Sequence, residues 1–228
     1  MHALTGERLL SAWDQGMTEH DIERALTMLA LAMPEASREH LADLPITERN
    51  KLLLRLRALT FGPLLKGFAI CSGCETPLEF TLRVDELLTH AEQLKAETVQ
   101  HSHLRAVNSH DLLAILAAQD AARAEDLLLT RCLVSGGPEV LSFPAIREEF
   151  ETLNAAAEMM FALDCPNCSR REMADFDIAR FLWAETRRAA ARLLSEIHEL
   201  ASAYGWSEEA IAAMSAQRRS AYMEMLNA

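Results

Sequence analysis

Apolar residues first recur at helical spacing. Ile22, Leu26, Leu29 and Met33 fall on one helical face, with Thr18 placed to cap that helix and Pro34 to stop it. A second helix is expected from near Thr47 through Leu52, Leu53, Leu56 and Leu59 to Gly62 and Pro63, with Arg49, Lys51, Arg55 and Arg57 as a solvated face or, alternatively, a basic stripe that docks an acidic partner. The period then changes to two. Leu78, Phe80, Leu82 and Val84 alternate with Glu79, Thr81 and Arg83, the signature of a half-buried strand. The apolar run Phe68, Ala69, Ile70 is its expected partner, which puts Cys71, Ser72, Gly73 and Cys74 at the tip of a hairpin.

Residues 85–157 return to mostly helical signals, with one strand expected over residues 99–107. Ser109 and Asp120 are expected caps of two short helices, Ser135, Gly136, Gly137 and Pro138 form a break, and Pro144 starts a helix running toward Met159. Alternation reappears at Met159, Phe161 and Leu163 up to Cys165, and Met173 to Phe176 follow Cys168, so a second hairpin echoes the first. From Asp177, an expected N-cap, apolar positions run to Gly205, about 27 residues or roughly 40 Å of helix. Ser207 and Ser215 can each cap one further short helix.

The expected architecture is mainly α with a small β zinc ribbon, an α+β class. It divides into an N-terminal helical region (1–66), a first knuckle hairpin (67–84), an inserted acidic and mostly helical lobe (85–157), a second knuckle hairpin (158–176) and a C-terminal helical region (177–228). At 228 residues the chain is long enough to bury its own core without a disulfide framework. The net charge of −12 is concentrated centrally. Residues 67–169 hold 16 acids and 6 bases, whereas residues 1–66 and 170–228 each hold 9 acids and 8 bases. An acidic centre repels phosphate and argues against a nucleic-acid surface. No stretch approaches 18 uninterrupted apolar residues, and the start of the chain lacks a basic region followed by an apolar core, so a soluble, cytoplasmic protein is expected.

In a reducing compartment five cysteines read as metal ligands or packing residues before disulfides. Cys71-x-x-Cys74 and Cys165-x-x-Cys168 are the strongest site signal, because two intervening residues let a tight turn aim both sulfurs at one ion and two such turns complete a tetrahedron. The 90 residues between the pairs exceed the usual gap, and the matching hairpins are the reason to expect the pairs to meet at one structural Zn²⁺. The alternatives for the same residues are a disulfide, two unrelated thiol pairs, or an ancestral site that has lost its metal. Cys132 lies on an apolar helix face and reads as a small buried hydrophobe. A four-thiolate site has no open position for water or substrate, so its metal would organise structure without catalysing.

Other chemistry is sparse. His101 and His103 could share a strand face, with His90 and His110 nearby, as a second metal site or a solvated edge. His198-Glu199 begins like a zinc-protease helix, but Ser202 stands where the second histidine belongs. Phosphate-binding glycine loops, a nucleophile elbow and a thioredoxin-like βαβ context are all missing, and no nucleophile–base pair is apparent. Trp183, Tyr204 and Trp206 read as core or partner contacts.

Three stretches resemble the zinc-ribbon baseplate proteins of contractile injection systems, relatives of the baseplate hub assembly chaperones of contractile-tailed phages. The first runs from Leu44-Pro45 through Arg49-Asn50-Lys51-Leu52-Leu53-Leu54-Arg55-Leu56-Arg57 to Phe61-Gly62, then Cys71, Cys74 and Leu78-Glu79-Phe80. The second is Cys165-Pro166-Asn167-Cys168, Phe176-Asp177-Ile178 and Phe181-Leu182-Trp183-Ala184-Glu185. The third is Leu193-Leu194-Ser195-Glu196-Ile197-His198-Glu199-Leu200-Ala201, Ala203-Tyr204-Gly205-Trp206-Ser207-Glu208, Arg218-Arg219 and Tyr222. Such knuckles often carry proline after the first cysteine and glycine after the second, where this chain has Ser72 and Glu75 in one knuckle and Ser169 in the other. The resemblance implies a non-enzymatic role in a bacterial cytoplasm, as chaperone or minor component of a baseplate. Its partners would be baseplate or hub proteins, with no nucleic acid, membrane or small-molecule substrate expected. A zinc-ribbon adaptor in a nucleic-acid-associated complex is the alternative, and an enzyme with an unrecognised site is a third reading.

Overall fold

The computed structural model of the chain describes residues 1–96, 103–142 and 144–226. In chain order the elements are α1 (Glu7–Gly16), α2 (Asp21–Ala32), α3 (Arg38–Asp43), α4 (Ile46–Phe61), β1 (Leu64–Ile70), β2 (Pro77–Arg83), α5 (Val84–Ala96), α6 (Ser109–Ile115) and α7 (Ala121–Cys132). There follow α8 (Pro144–Asn154), β3 (Met160–Asp164), β4 (Arg171–Asp175), α9 (Ile178–Tyr204), α10 (Glu208–Ala212) and α11 (Ala216–Leu226), with short 3-10 turns at Pro138–Ser142 and Ala155–Ala157. The protein is therefore mainly α with a small β part, two antiparallel two-stranded sheets among the described residues. No described helix is long and apolar enough to cross a membrane.

The chain forms two compact units, one of residues 1–36 with 179–228 and one of residues 37–178. In the first, α2 buries Ala25, Leu26, Met28, Leu29 and Ala32, while α9 buries Leu182, Ala190, Leu193 and Leu200, the single-face spacing of amphipathic helices. Gly16 ends α1 against the Trp183 ring, where a Cβ would come within 2.5 Å of ring carbon. Arg24 lies 4.8 Å over the same ring and donates to the Gly16 carbonyl at 2.7 Å, which fixes that corner. Tyr204 stacks on Trp206 at 4.5 Å with Tyr222 edge-on to Trp206 at 4.9 Å, so these rings pack on one another.

The second unit is organised by α4, and here the expected solvated face is overturned. Arg49, Lys51 and Arg57 are buried and only Arg55 of the four faces water. Arg57 donates to the carbonyls of Gly62 (2.6 Å) and Leu64 (2.7 Å), holding the entrance of β1. Asn50 donates to the Ala157 carbonyl at 3.3 Å, just before β3. Arg49 donates to Ser109 Oγ (3.2 Å) and Asn50 Oδ1 (3.0 Å). Burial lowers its pKa to about 10, against the opposing charge of Asp177. Buried guanidinium groups persist because carbonyl and amide oxygens satisfy their donors.

Residues 85–157 pack onto α4, in a core of Ile46 together with Leu104, Val107, Leu129, Cys132 and Ile146. The Ile46 amide donates to Val107 O at 2.8 Å, and Pro45 bridges Asn108. The strand expected over residues 99–107 falls partly on residues 97–102, outside the described residues; beyond them Leu104 makes an isolated bridge to Leu133. Two caps differ from expectation. His20, not Thr18, caps α2 in a reciprocal box with Glu23, and Asn108, not Ser109, caps α6 with Asp111. Asp120, Ser207 and Ser215 accept the amide hydrogen bonds expected of them.

Candidate metal centre

Both C-x-x-C turns sit at the tips of regular hairpins. In the first, Leu64 pairs with Arg83 and Ile70 with Pro77; in the second, Met160 pairs with Asp175 and Asp164 with Arg171. Backbone bonds close their bases, Val84 N–H to Pro63 O at 3.0 Å and Phe176 N–H to Met159 O at 2.9 Å. Alternation along β2 turns Leu78, Phe80 and Leu82 to one side. Gly67, opposite Phe80, lacks the Cβ that would meet that ring, and Phe80 packs edge-on against Phe161 of the other hairpin at 4.9 Å. α4 gripping both entrances and this aromatic contact explain how pairs 90 residues apart come together.

The two turns are built alike. The Cys71 amide donates to Thr76 O (3.0 Å) and the Glu75 amide to Cys71 O (2.9 Å); the Cys165 amide donates to Arg170 O (2.8 Å) and the Ser169 amide to Cys165 O (2.9 Å). Glu75 and Ser169, each just after the second cysteine, are the only described non-glycine residues in the left-handed region, with φ of 59° and 58°. These are the positions where a knuckle favours glycine, because a Cβ is strained there.

The four sulfurs converge. Cys71 Sγ lies 3.6 Å from Cys168 Sγ and Cys74 Sγ 3.5 Å from Cys165 Sγ, and all four ligand atoms lie within 4.8 Å of one another. A disulfide needs about 2.05 Å, whereas sulfurs around a tetrahedral ion at about 2.3 Å stand roughly 3.8 Å apart. Leu78 and Leu163 pack beneath the cluster, and Cys71 and Cys165 are buried at 0% and 2% exposure.

Hydrogen bonds prepare the sulfurs unequally. The Thr76 hydroxyl and amide, followed by Asn167, favour the Cys74 thiolate and lower its pKa to about 5. The Arg170 amide favours the Cys168 thiolate, but shared protons with Cys74 and Cys71 outweigh it and raise that thiol to about 12. Amides of Gly73 and Cys74 likewise serve Cys71, whose thiol is nevertheless raised by burial and its bond to Cys165. Four soft donors select a thiophilic ion, and the closed set suits a structural one.

His103 Nδ1 bonds Ser135 Oγ at 3.1 Å, and His101 lies outside the described residues. His110 instead faces Glu39 (3.5 Å) and Asp43 (3.6 Å), both carboxylates standing largely in water. Cys132 lies fully buried, away from the other four cysteines, with its Sγ donating to Asp111 Oδ2 at 3.8 Å. Sequence reasoning missed Thr76, Asn167 and Glu172, whose signal is their position beside the cysteines, two residues after Cys74, one before Cys168 and four after it.

The fold and site define a mainly α protein with a four-cysteine cluster able to hold one metal ion. Comparison of the chain with protein-family models, curated proteins and solved structures finds no match.

Proposed function

We propose that the chain is a non-enzymatic zinc-binding protein that helps assemble the baseplate hub of a phage-like contractile particle, as chaperone or minor structural component. The observation that carries the zinc reading is the convergence of Cys71, Cys74, Cys165 and Cys168 from two like-built hairpins. Zn²⁺ suits four thiolates in a tetrahedron and adds no redox chemistry, so its work here is to pin two sheets that are too small to stand alone. The particle reading rests on the resemblance of the three stretches described above. Apolar side chains left in solvent on the hairpins, Phe68, Ile70 and Met173, support a protein partner, and the acidic centre disfavours nucleic acid.

Quantitative mass spectrometry of partly assembled baseplates and finished particles, from cells expressing the full chain, tests the particle reading. Presence in intermediates alone marks a chaperone that leaves, and a fixed copy number in the finished particle marks a structural component. Absence from both would overturn the reading, and co-purification with nucleic acid would move the assignment to the adaptor.

A further inference from the structure

The two knuckles share a backbone but not their flanking side chains. Four residues past Cys168, Glu172 reaches across to the other hairpin, where its Oε1 accepts from the Ser72 amide (3.1 Å), the Ser72 hydroxyl (2.8 Å) and the Cys71 thiol (3.7 Å). Two residues past Cys168, Arg170 donates from Nη1 to Ser72 Oγ at 3.1 Å. Its guanidinium lies on the tip of the first knuckle at Gly73, where an added Cβ would come within 2.9 Å of Arg170 Nε. At the matching positions after Cys74 the chain carries Thr76, whose hydroxyl serves Cys74 itself, and Leu78, which is buried beneath the sulfurs. The reach is therefore one-sided, from second hairpin to first.

We propose that Arg170 and Glu172 are a clasp that sets the knuckles face to face and so fixes the affinity of the four-cysteine site for its metal. The inference rests on reading that cluster as a metal site. Residues around first ligands orient them, and losing such a partner typically weakens metal binding roughly tenfold to a hundredfold. Hydrogen bonding and charge act in opposite senses at Glu172. Its oxygen holds the Ser72 amide and hydroxyl beside Cys71 and accepts from the Cys71 thiol only while that sulfur keeps its proton, and its negative charge stands beside a thiolate set that carries two net negative charges with a divalent ion. Glu172→Gln keeps the acceptor and removes the charge, whereas Glu172→Ala removes both.

The test is competition titration of Co²⁺ and Zn²⁺ against a chromophoric chelator on the full chain, read together with the visible spectrum of tetrahedral cobalt thiolate. Glu172→Ala and Arg170→Ala are expected to weaken binding roughly tenfold to a hundredfold and to distort the cobalt spectrum. Glu172→Gln, which keeps the acceptor, is expected to lose much less than Glu172→Ala. Ser72→Ala, an exposed change that leaves the backbone donor in place, is expected to give a smaller loss in the same direction. Parent affinity and spectrum in Glu172→Ala, or equal losses in Glu172→Gln and Glu172→Ala, would overturn the clasp while leaving the metal site standing. Failure of the parent chain to bind either ion would overturn the site itself and the clasp with it.

Discussion

Cysteine occurs in two settings within residues 37–178. At the knuckles, sulfurs receive amide and hydroxyl hydrogen bonds, and Cys74 falls to about 5. On α7, burial and the adjacent Asp111 carboxylate push the Cys132 thiol up to about 11, so it stays protonated and packs as a small apolar group. Around Cys132 the charged work is done by Asp111, fully buried, which accepts from Arg105 (2.5 and 3.0 Å) and Arg131 (2.9 Å). Burial alone would raise that carboxyl, but Arg105, the Asn108 amide and Arg131 together hold it at about 2. One region is thus satisfied within the protein, while the other gathers four sulfurs whose natural completion is a cation. Donor environment, not residue type, separates a packing cysteine from a ligand.

The largest effect that would separate the regions is ligand loss. Replacing any one of Cys71, Cys74, Cys165 or Cys168 by Ser is expected to remove bound metal and lower stability by several kcal/mol, with both hairpins affected together. Metal analysis and melting curves of Cys165→Ser check this; full occupancy and unchanged melting would contradict it. Next, Asp111→Asn is expected to cost about 2 to 3 kcal/mol by weakening the Arg105 and Arg131 pairs around a buried group, without changing metal content.

Acid should separate the regions as well. Because burial among Arg105, the Asn108 amide and Arg131 leaves the Asp111 carboxyl at about 2 when folded against near 3.9 when unfolded, it contributes about 2.5 kcal/mol of stability above the unfolded value, which is lost progressively as pH falls from there through about 2. Thiolate ligands must be re-protonated to release an ion, so metal should leave at a higher pH than the one at which the Asp111 region fails. An acid titration followed by metal release and by helical circular dichroism reads both steps. Coincident loss would break the comparison. The smallest expected effect is a gain: Glu75→Gly and Ser169→Gly should each stabilise by up to about 1 kcal/mol by relieving the left-handed backbone, as seen in melting of the metal-loaded protein.

The features easiest to read from sequence are those fixed by short-range chemistry. Alternation around Phe80 and Phe161 marks the hairpins, and apolar spacing up to Gly205 marks the 27-residue α9. Burial of Arg49, Lys51 and Arg57 is not readable in this way. A cation every few residues on a helix is the ordinary mark of a wet face, and the carbonyls of Gly62 and Leu64 that satisfy Arg57 become its neighbours only after the chain turns into β1. The grouping of residues 1–36 with 179–228 is likewise a tertiary outcome, decided by which apolar faces fit, as at Gly16 and Trp183. At the centre the cysteine spacing is legible, while Glu172 and Arg170 read as ordinary charges on a strand flank until the partner hairpin stands opposite them.

Two cysteine pairs, 90 residues apart in the chain, are placed to hold one ion. Elemental analysis of the purified full chain beside its Cys168→Ser variant, with cobalt substitution to report geometry, tests this most directly. One zinc per parent chain and a tetrahedral tetrathiolate cobalt spectrum are expected, with loss of both in the variant. A parent chain without stoichiometric metal, or a variant that retains it, would contradict the account.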